Sequence, residues 1–194
     1  MKHPSIRELF DYWDTRRGRR PAPERGDIEP GAIRRVLADT FILAYEPHSG
    51  HPFRLAGTRV CALFGRELKG EAFVQLWDLE SRKILREMTR VVADEAVATV
   101  AGARARTEQG SQADLELLLL PLYHRGKMHV RLLGLLAPIE TPYWVGAEHV
   151  ATLTLGAMRH LGPAIETIRA PRFATRTATR TVRGGLTLYE GGRD

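Results

Sequence analysis

The stretch Pro52–Trp77, PFRLAGTRVCALFGRELKGEAFVQLW, decides how this 194-residue chain is read. Phe53–Gly57 is β-prone, and Thr58–Phe64 places Val60, Leu63 and Phe64 at the i, i+3, i+4 spacing of a short buried helix. Gly65 stands where a helix end needs a residue able to take positive φ, and Gly70 repeats that stop five positions later. The pattern is therefore a strand, a helical turn or two, and two glycine stops, with Gly57, Gly65 and Gly70 as backbone requirements.

Working outward, Phe41–Glu46 is a second β-prone run, separated from Phe53 by the turn composition Pro47-His-Ser-Gly50, so the two strands form a hairpin. Downstream, Glu80–Ala96 is the best helix in the chain, with Ile84, Leu85, Met88, Val91 and Val92 on one side and charges on the other. Ser81 is read as its N-cap. Three strands follow at Thr99–Arg106, Ala113–His124 and Lys127–Ile139, joined by turns near Gly110 and Gly126 as an antiparallel meander. Upstream, Ile6, Leu9, Phe10 and Trp13 make the stripe of an amphipathic helix over Ser5–Arg16, with Ser5 and Glu8 as a capping box. Arg16–Asp27 is a Pro/Gly/Arg linker, and Pro30–Asp39 is a short helix. Beyond Pro142, Val150, Leu153, Ala157, Met158 and Leu161 predict a helix that ends or kinks at Gly162-Pro163. From Arg169 the composition is that of a disordered tail. Leu186–Glu190 alternates within it like a strand able to pair with a sheet edge.

The string Gly57–Gly70, GTRVCALFGRELKG, resembles the heart of the PAS domain, in which a strand leads to a short helix ending in "lfG" and then "r-e-L-x-G". It is most similar to a stand-alone bacterial branch carrying the variant "RLaGTrlc-lfGReL-G". The element order read from periodicity, β-β-short helices-long helix-β-β-β, agrees with that resemblance. The expected fold is α+β: a five-stranded antiparallel PAS-like sheet with short helices and one long helix on one face, plus flanking N- and C-terminal helices. Residues 1–39 form a helical cap and Arg-rich linker, 40–141 the PAS-like domain, 142–169 the C-terminal helix and 170–194 the basic tail.

Composition is that of a globular protein, 43% hydrophobic and 27% charged. The longest apolar run, Leu115–Leu122, is broken by Glu116 and Pro121 and is far too short to span a bilayer. One cysteine excludes an internal disulfide framework, and the expected location is cytoplasmic. The net charge of +6 is concentrated in Arg16–Arg25 and in Arg169–Asp194, which leaves the middle slightly negative. A shaped nucleic-acid groove would need basic residues on a folded face.

No nucleophile elbow, zincin, Walker or dinucleotide motif is present, so no catalytic residues and no enzymatic activity are expected. The histidine pairs His48/His51 and His124/His129 lack a carboxylate or cysteine at ligand spacing, and no metal site is assigned. The resemblance implies a ligand-sized cavity beneath the short helices. Its candidate lining is Arg59, Cys61, Phe64, Arg66, Trp77, Met88, Leu117 and Leu135. Either Arg59 or Arg66 forks an acidic ligand group, or Arg66 bonds carbonyls near Gly65 while Arg59 lies in solvent. Cys61 lacks the flanking residues of flavin-binding light-oxygen-voltage domains, and the long helix has no axial histidine, so the cofactor is unknown, with no flavin or haem signature. The resemblance implies a sensory or regulatory protein that binds a small molecule or signalling partner and acts in trans. The Ile6–Trp13 stripe is expected to dock on the outer face of the sheet, with self-association as a homodimer through that region. The alternative is a nucleic-acid-associated protein acting through the Arg-rich loop and tail.

Overall fold

A computed structural model describes residues 1–161 (backbone only at 127–129) and the backbone pairs Val182–Arg183 and Leu186–Thr187. In chain order the elements are α1 (Pro4–Arg17), β1 (Thr40–Ala44), β2 (Phe53–Ala56), α2 (Thr58–Phe64), α3 (Leu79–Asp94), β3 (Ala98–Thr107), β4 (Gln112–His124), β5 (Lys127–Pro138) and β6 (Val150–Leu161). All pairings in the main sheet are antiparallel, in the order β2-β1-β5-β4-β3-β6.

The central strands of the sheet are buried on both faces. Alternation along β4 sends Leu115, Leu117 and Leu119 to one side and Leu118, Leu120 and Leu122 to the other. The first set packs under α2 and α3 with Phe41, Phe53, Phe73 and Trp77. Ring centroids there lie 5.4 Å (Phe41–Phe53), 5.7 Å (Phe41–Phe73) and 5.7 Å (Phe73–Trp77) apart. Phe41 faces Gly134 across β1 and β5, where any Cβ would run into the Phe41 ring. The second set is covered by Ile6, Leu9 and Trp13 of α1 and by Ile28, Ile33 and Val36. The Trp13 indole N–H donates to the Pro121 carbonyl at 2.9 Å.

Several sequence expectations are corrected. Residues 142–169 do not form a helix as far as they are described: Val150–Leu161 is a sixth strand on β3. Register shifts in the β3–β6 ladder change which parity faces inward, so Val150, Leu153, Leu155 and Met158 share a face at a spacing that imitates a helix. The β-branched Thr152 and Thr154 favour the extended form, and the mid-segment Gly156 disfavours a helix. Pro30–Ile33 and Leu37–Asp39 are separate 3-10 turns, because Gly31 and a run of only ten residues do not sustain an α-helix. Helix α1 starts at Pro4 with His3 as N-cap, its Nδ1 accepting from the Ser5 N–H, in place of a Ser5–Glu8 box. The Arg16–Asp27 segment is packed against the sheet: Ala22 is buried and the Tyr123 N–H donates to the Pro23 carbonyl at 2.9 Å. Leu186–Thr187 pairs with Val182–Arg183 in its own two-stranded sheet rather than on the main sheet's edge. The expectation of disorder for the rest of the tail lies outside the described residues.

The β1–β2 connection is pinned to α3 by a buried histidine. His51 is 1% exposed, with φ 59. Its Nδ1 accepts from the Glu46 N–H at 3.3 Å, so Nε2 carries the proton and donates to Thr89 Oγ1 at 3.0 Å. Thr89 in turn donates to the Leu85 carbonyl at 2.9 Å, and the Tyr45 ring stacks on His51 at 5.1 Å. Burial, with the Arg86 charge in support, pushes the His51 pKa down to about 4.

Two outcomes follow from this packing. Helix α2 ends at Gly65 with φ 65, and a Cβ there would collide with the His149 ring. In urea denaturation Gly65→Val is expected to cost about 1–3 kcal/mol. Gly26→Ala, where nothing lies within 4 Å of a new Cβ, is expected to stay within about 0.5 kcal/mol. For His51 the folded pKa lies below the unfolded value of 6.5, so its contribution is complete above pH 6.5 and is lost as pH falls towards 4. Wild type should lose about 3 kcal/mol more than His51→Asn across that window, a substitution that tolerates positive φ. Parallel stability–pH curves for the two proteins would contradict the assignment.

Candidate functional site

The candidate lining residues fall into three places. Cys61, Phe64, Trp77, Met88 and Leu117 do come together, as neighbours in the cluster beneath α2 and α3. They are packed there against one another and against the aromatic rings, and the Cys61 sulfur lies 4.0 Å from the Ala56 carbonyl. Leu135 does not join them. It pairs with Leu118 and faces the α1 side, because along β5 it is Leu132 and Leu136 that point inward.

Neither arginine enters the cluster. Arg59 forks Asp39, with Nε and Nη2 each 2.6 Å from one carboxylate oxygen. Asp39 is buried while the Arg59 side chain is 57% exposed, and the bond raises the Arg59 pKa. Arg66 forks Glu71 at 2.9 and 3.0 Å and donates to the Phe64 carbonyl at 3.3 Å. Both guanidinium groups are thus engaged within the fold, at the two ends of α2. Gly57 enters α2 so close to the Ala38 carbonyl that a Cβ would overlap it, and Gly70 has φ 88.

Openings occur elsewhere. A recess of about 820 Å³ lies on the α1 side of the sheet, where Gly102 and Gly156 leave the β3–β6 surface low beside Arg104, Glu116 and Arg159. Glu116 is 5% exposed and accepts from the Lys2 N–H (2.8 and 2.9 Å) and the His3 N–H (2.7 Å), which fixes the approach to α1. A second recess, about 340 Å³, lies beside the Arg59–Asp39 pair. A third, about 560 Å³, separates the first turn of α3 from β6 and has Trp77 in its wall.

At this third recess Asp78 is the N-cap of α3, accepting from the Ser81 N–H at 2.8 Å and from Thr154 Oγ1 at 2.6 Å. Ser81, expected as the cap, instead accepts the Leu155 N–H on Oγ at 2.8 Å. Sequence reading missed Asp78 and Glu116. The signal for Glu116 was present, since a carboxylate inside a leucine-rich strand must find donors when buried. Among the described residues no group of three or more His, Cys, Asp or Glu could hold a metal ion, and His51 is committed to Thr89.

A PAS domain family profile matches residues 1–137. Solved structures to which the chain is similar include a light-oxygen-voltage domain studied with a flavin analogue (18% identity, 60% of this chain and 87% of that one, TM-score 0.44). They also include the PAS domain of an HTR-like protein from Haloarcula marismortui (17%, 56% and 90%, TM-score 0.39) and a PAS domain from Colwellia psychrerythraea (16%, 57% and 97%, TM-score 0.40). Comparison with curated proteins finds no match. The profile runs from α1 through β5 and stops short of β6, and on that match the chain belongs to the PAS domain family.

Proposed function

We propose that the chain is a non-catalytic sensory or regulatory protein that binds a small molecule or a partner protein and passes a change of state on in trans. The observation that carries this reading is the way α1 covers the second face of the sheet. It is held at one end by Glu116 and at the other by the Trp13–Pro121 bond, with the 820 Å³ recess opening beside the Glu116 end. A cover tied down at two points beside an open recess is an element whose position a ligand or partner can bias. Cytoplasmic location and a homodimeric state belong to the same proposal. The Ile6–Trp13 stripe is used up on the chain's own sheet, so self-association would have to use another surface, such as the uncovered sheet at Gly102 and Gly156.

The nucleic-acid alternative is weakened by local charge pairing. Arg16, Arg17 and Arg20 are paired with Glu29, Asp14 and Asp27 respectively, which lowers the basic potential of that loop.

Native mass spectrometry of protein purified from its own host tests the proposal. A retained small mass or a co-purifying protein is expected, and a bare monomer with neither contradicts it. The α1 latch has its own outcome. Glu116→Ala should speed hydrogen exchange of the α1 amides about 10- to 100-fold, the effect of losing hydrogen bonds to a charged acceptor worth about 1.5–3 kcal/mol, while α3 amides stay unchanged.

A further inference from the structure

The recess of about 340 Å³ beside the Arg59–Asp39 pair lies where separate stretches of the chain meet. His3 and Ser5 come from the start of α1, Arg59 and Leu63 from α2, and Asp39 from the turn before β1. Pro138 ends β5, and Thr141 and Val145 follow it. The wall is divided by chemistry. Leu63, Pro138 and Val145, with two alanines, make an apolar side, and His3, Ser5, Asp39, Arg59 and Thr141 make a polar one.

The polar side has spare donors and no spare carboxylate. Asp39 is buried, and both its oxygens accept from Arg59 at 2.6 Å. Arg59 meets it with Nε and Nη2, and Nη2 also donates to the Arg35 carbonyl at 3.3 Å. The two N–H bonds of Arg59 Nη1 have no partner among the described residues. His3 Nδ1 accepts the Ser5 N–H at 3.2 Å, so its Nε2 carries a proton and donates. The hydroxyls of Ser5 and Thr141 are also uncommitted among the described residues. The group such a set takes is one that only accepts, which is a carboxylate. Asp39 already balances the inner edge of the guanidinium, and a second carboxylate on its outer edge uses the remaining fork. A cation would find only donors here and a carboxylate already spent.

We infer that this recess binds a small monocarboxylate with an apolar body about the size of one ring. Arg59 Nη1 and the Ser5 and Thr141 hydroxyls hold the carboxylate, and the body lies on Leu63, Pro138 and Val145. The inference deepens the sensory reading above and rests on it, by naming the ligand class. A volume of about 340 Å³ is at the small end of ligand sites, which suits a body of that size. His3 also donates its backbone N–H to Glu116 at 2.7 Å. A ligand here therefore sits in the corner between α2 and the point where α1 is fastened, and its binding favours the docked position of α1.

The test titrates the full chain with three probes and follows assigned backbone amides by 15N-edited NMR. Phenylacetate carries head and body, phenylacetamide is its neutral match in size, and acetate is the head alone. With phenylacetate the amides of Ser5, Arg59, Leu63 and Thr141 are expected to move saturably, and the other two probes to bind at least tenfold more weakly. Arg59→Lys keeps a charge on Asp39 but loses the second edge of the fork, and Thr141→Val removes only a hydroxyl at an exposed position. Each should weaken phenylacetate binding about tenfold, the effect of one hydrogen bond to a charged acceptor. Unchanged amide positions with phenylacetate overturn the inference, as does equal binding of phenylacetamide or of acetate. Shifts confined to Leu117 and Leu119, beneath α2 and α3, overturn it too, and so does undiminished binding in Thr141→Val. These failures would leave the α1 latch and the host-purified mass spectrum untouched, so they are distinct from failure of the sensory reading.

Discussion

The structure depends on one constraint: β4 is apolar on both faces, and each face has to be covered by something from outside the sheet. Leu117 and Leu119 point to one side, and Leu118 and Leu120 to the other, and all four are buried. A strand with one wet face would alternate apolar with polar residues, whereas Leu117–Leu120 is continuous leucine, the pattern of a sheet buried on both sides. Helices α2 and α3 cover the first face. The second would be a large exposed apolar patch without α1 and the 3-10 turns that follow it. The N-terminal region is thus part of the folding unit, and Arg16–Asp27 is the packed connection that carries the chain along this same face from α1 to the 3-10 turns.

Polar groups then fix where these covers sit. Glu116 interrupts the leucines and gathers two backbone N–H groups ahead of α1. His51 ties the hairpin loop to α3, and Asp78 with Ser81 ties the start of α3 to β6. The last connection also protects the sheet edge. The Leu153 carbonyl accepts from the Asp78 N–H at 2.9 Å and the Leu155 N–H donates to Ser81, so part of the outer edge of β6 is already satisfied. Each of these groups is buried or half-buried with defined partners, which makes it a specific fastening rather than a general contribution to stability.

The sequence was most legible where local chemistry and tertiary packing agree. The β2–α2–Gly65 unit, the long helix and the three-strand meander lie within a few residues of where periodicity and glycine stops place them. It was misleading at β6, where ladder irregularities near Val150 and Gly156 carry inward-facing residues from one parity to the other and reproduce helical spacing. No local signal reports a bulge that only a partner strand defines. Leu135 lies on the opposite face from its expected one for a related reason: with Leu135 and Leu136 adjacent, only the register with β4 decides which points inward. The arginines are legible as a set around α2, but their partners Asp39 and Glu71 are chosen by the fold, so spacing does not show that they are ion-paired within it. Spacing marks Trp77 as a core residue, whereas the lack of a partner for its N–H is a property of the folded neighbours alone.

The central claim is that the second face of the sheet is covered by this chain's own N-terminal helix. Equilibrium urea unfolding of the chain lacking residues 1–17, set against the full chain, tests it most directly. Loss of Ile6, Leu9 and Trp13 from a fully buried seat, at about 1.5–3 kcal/mol each, predicts a loss of at least about 4 kcal/mol. An unfolding midpoint and slope unchanged by the deletion would contradict it.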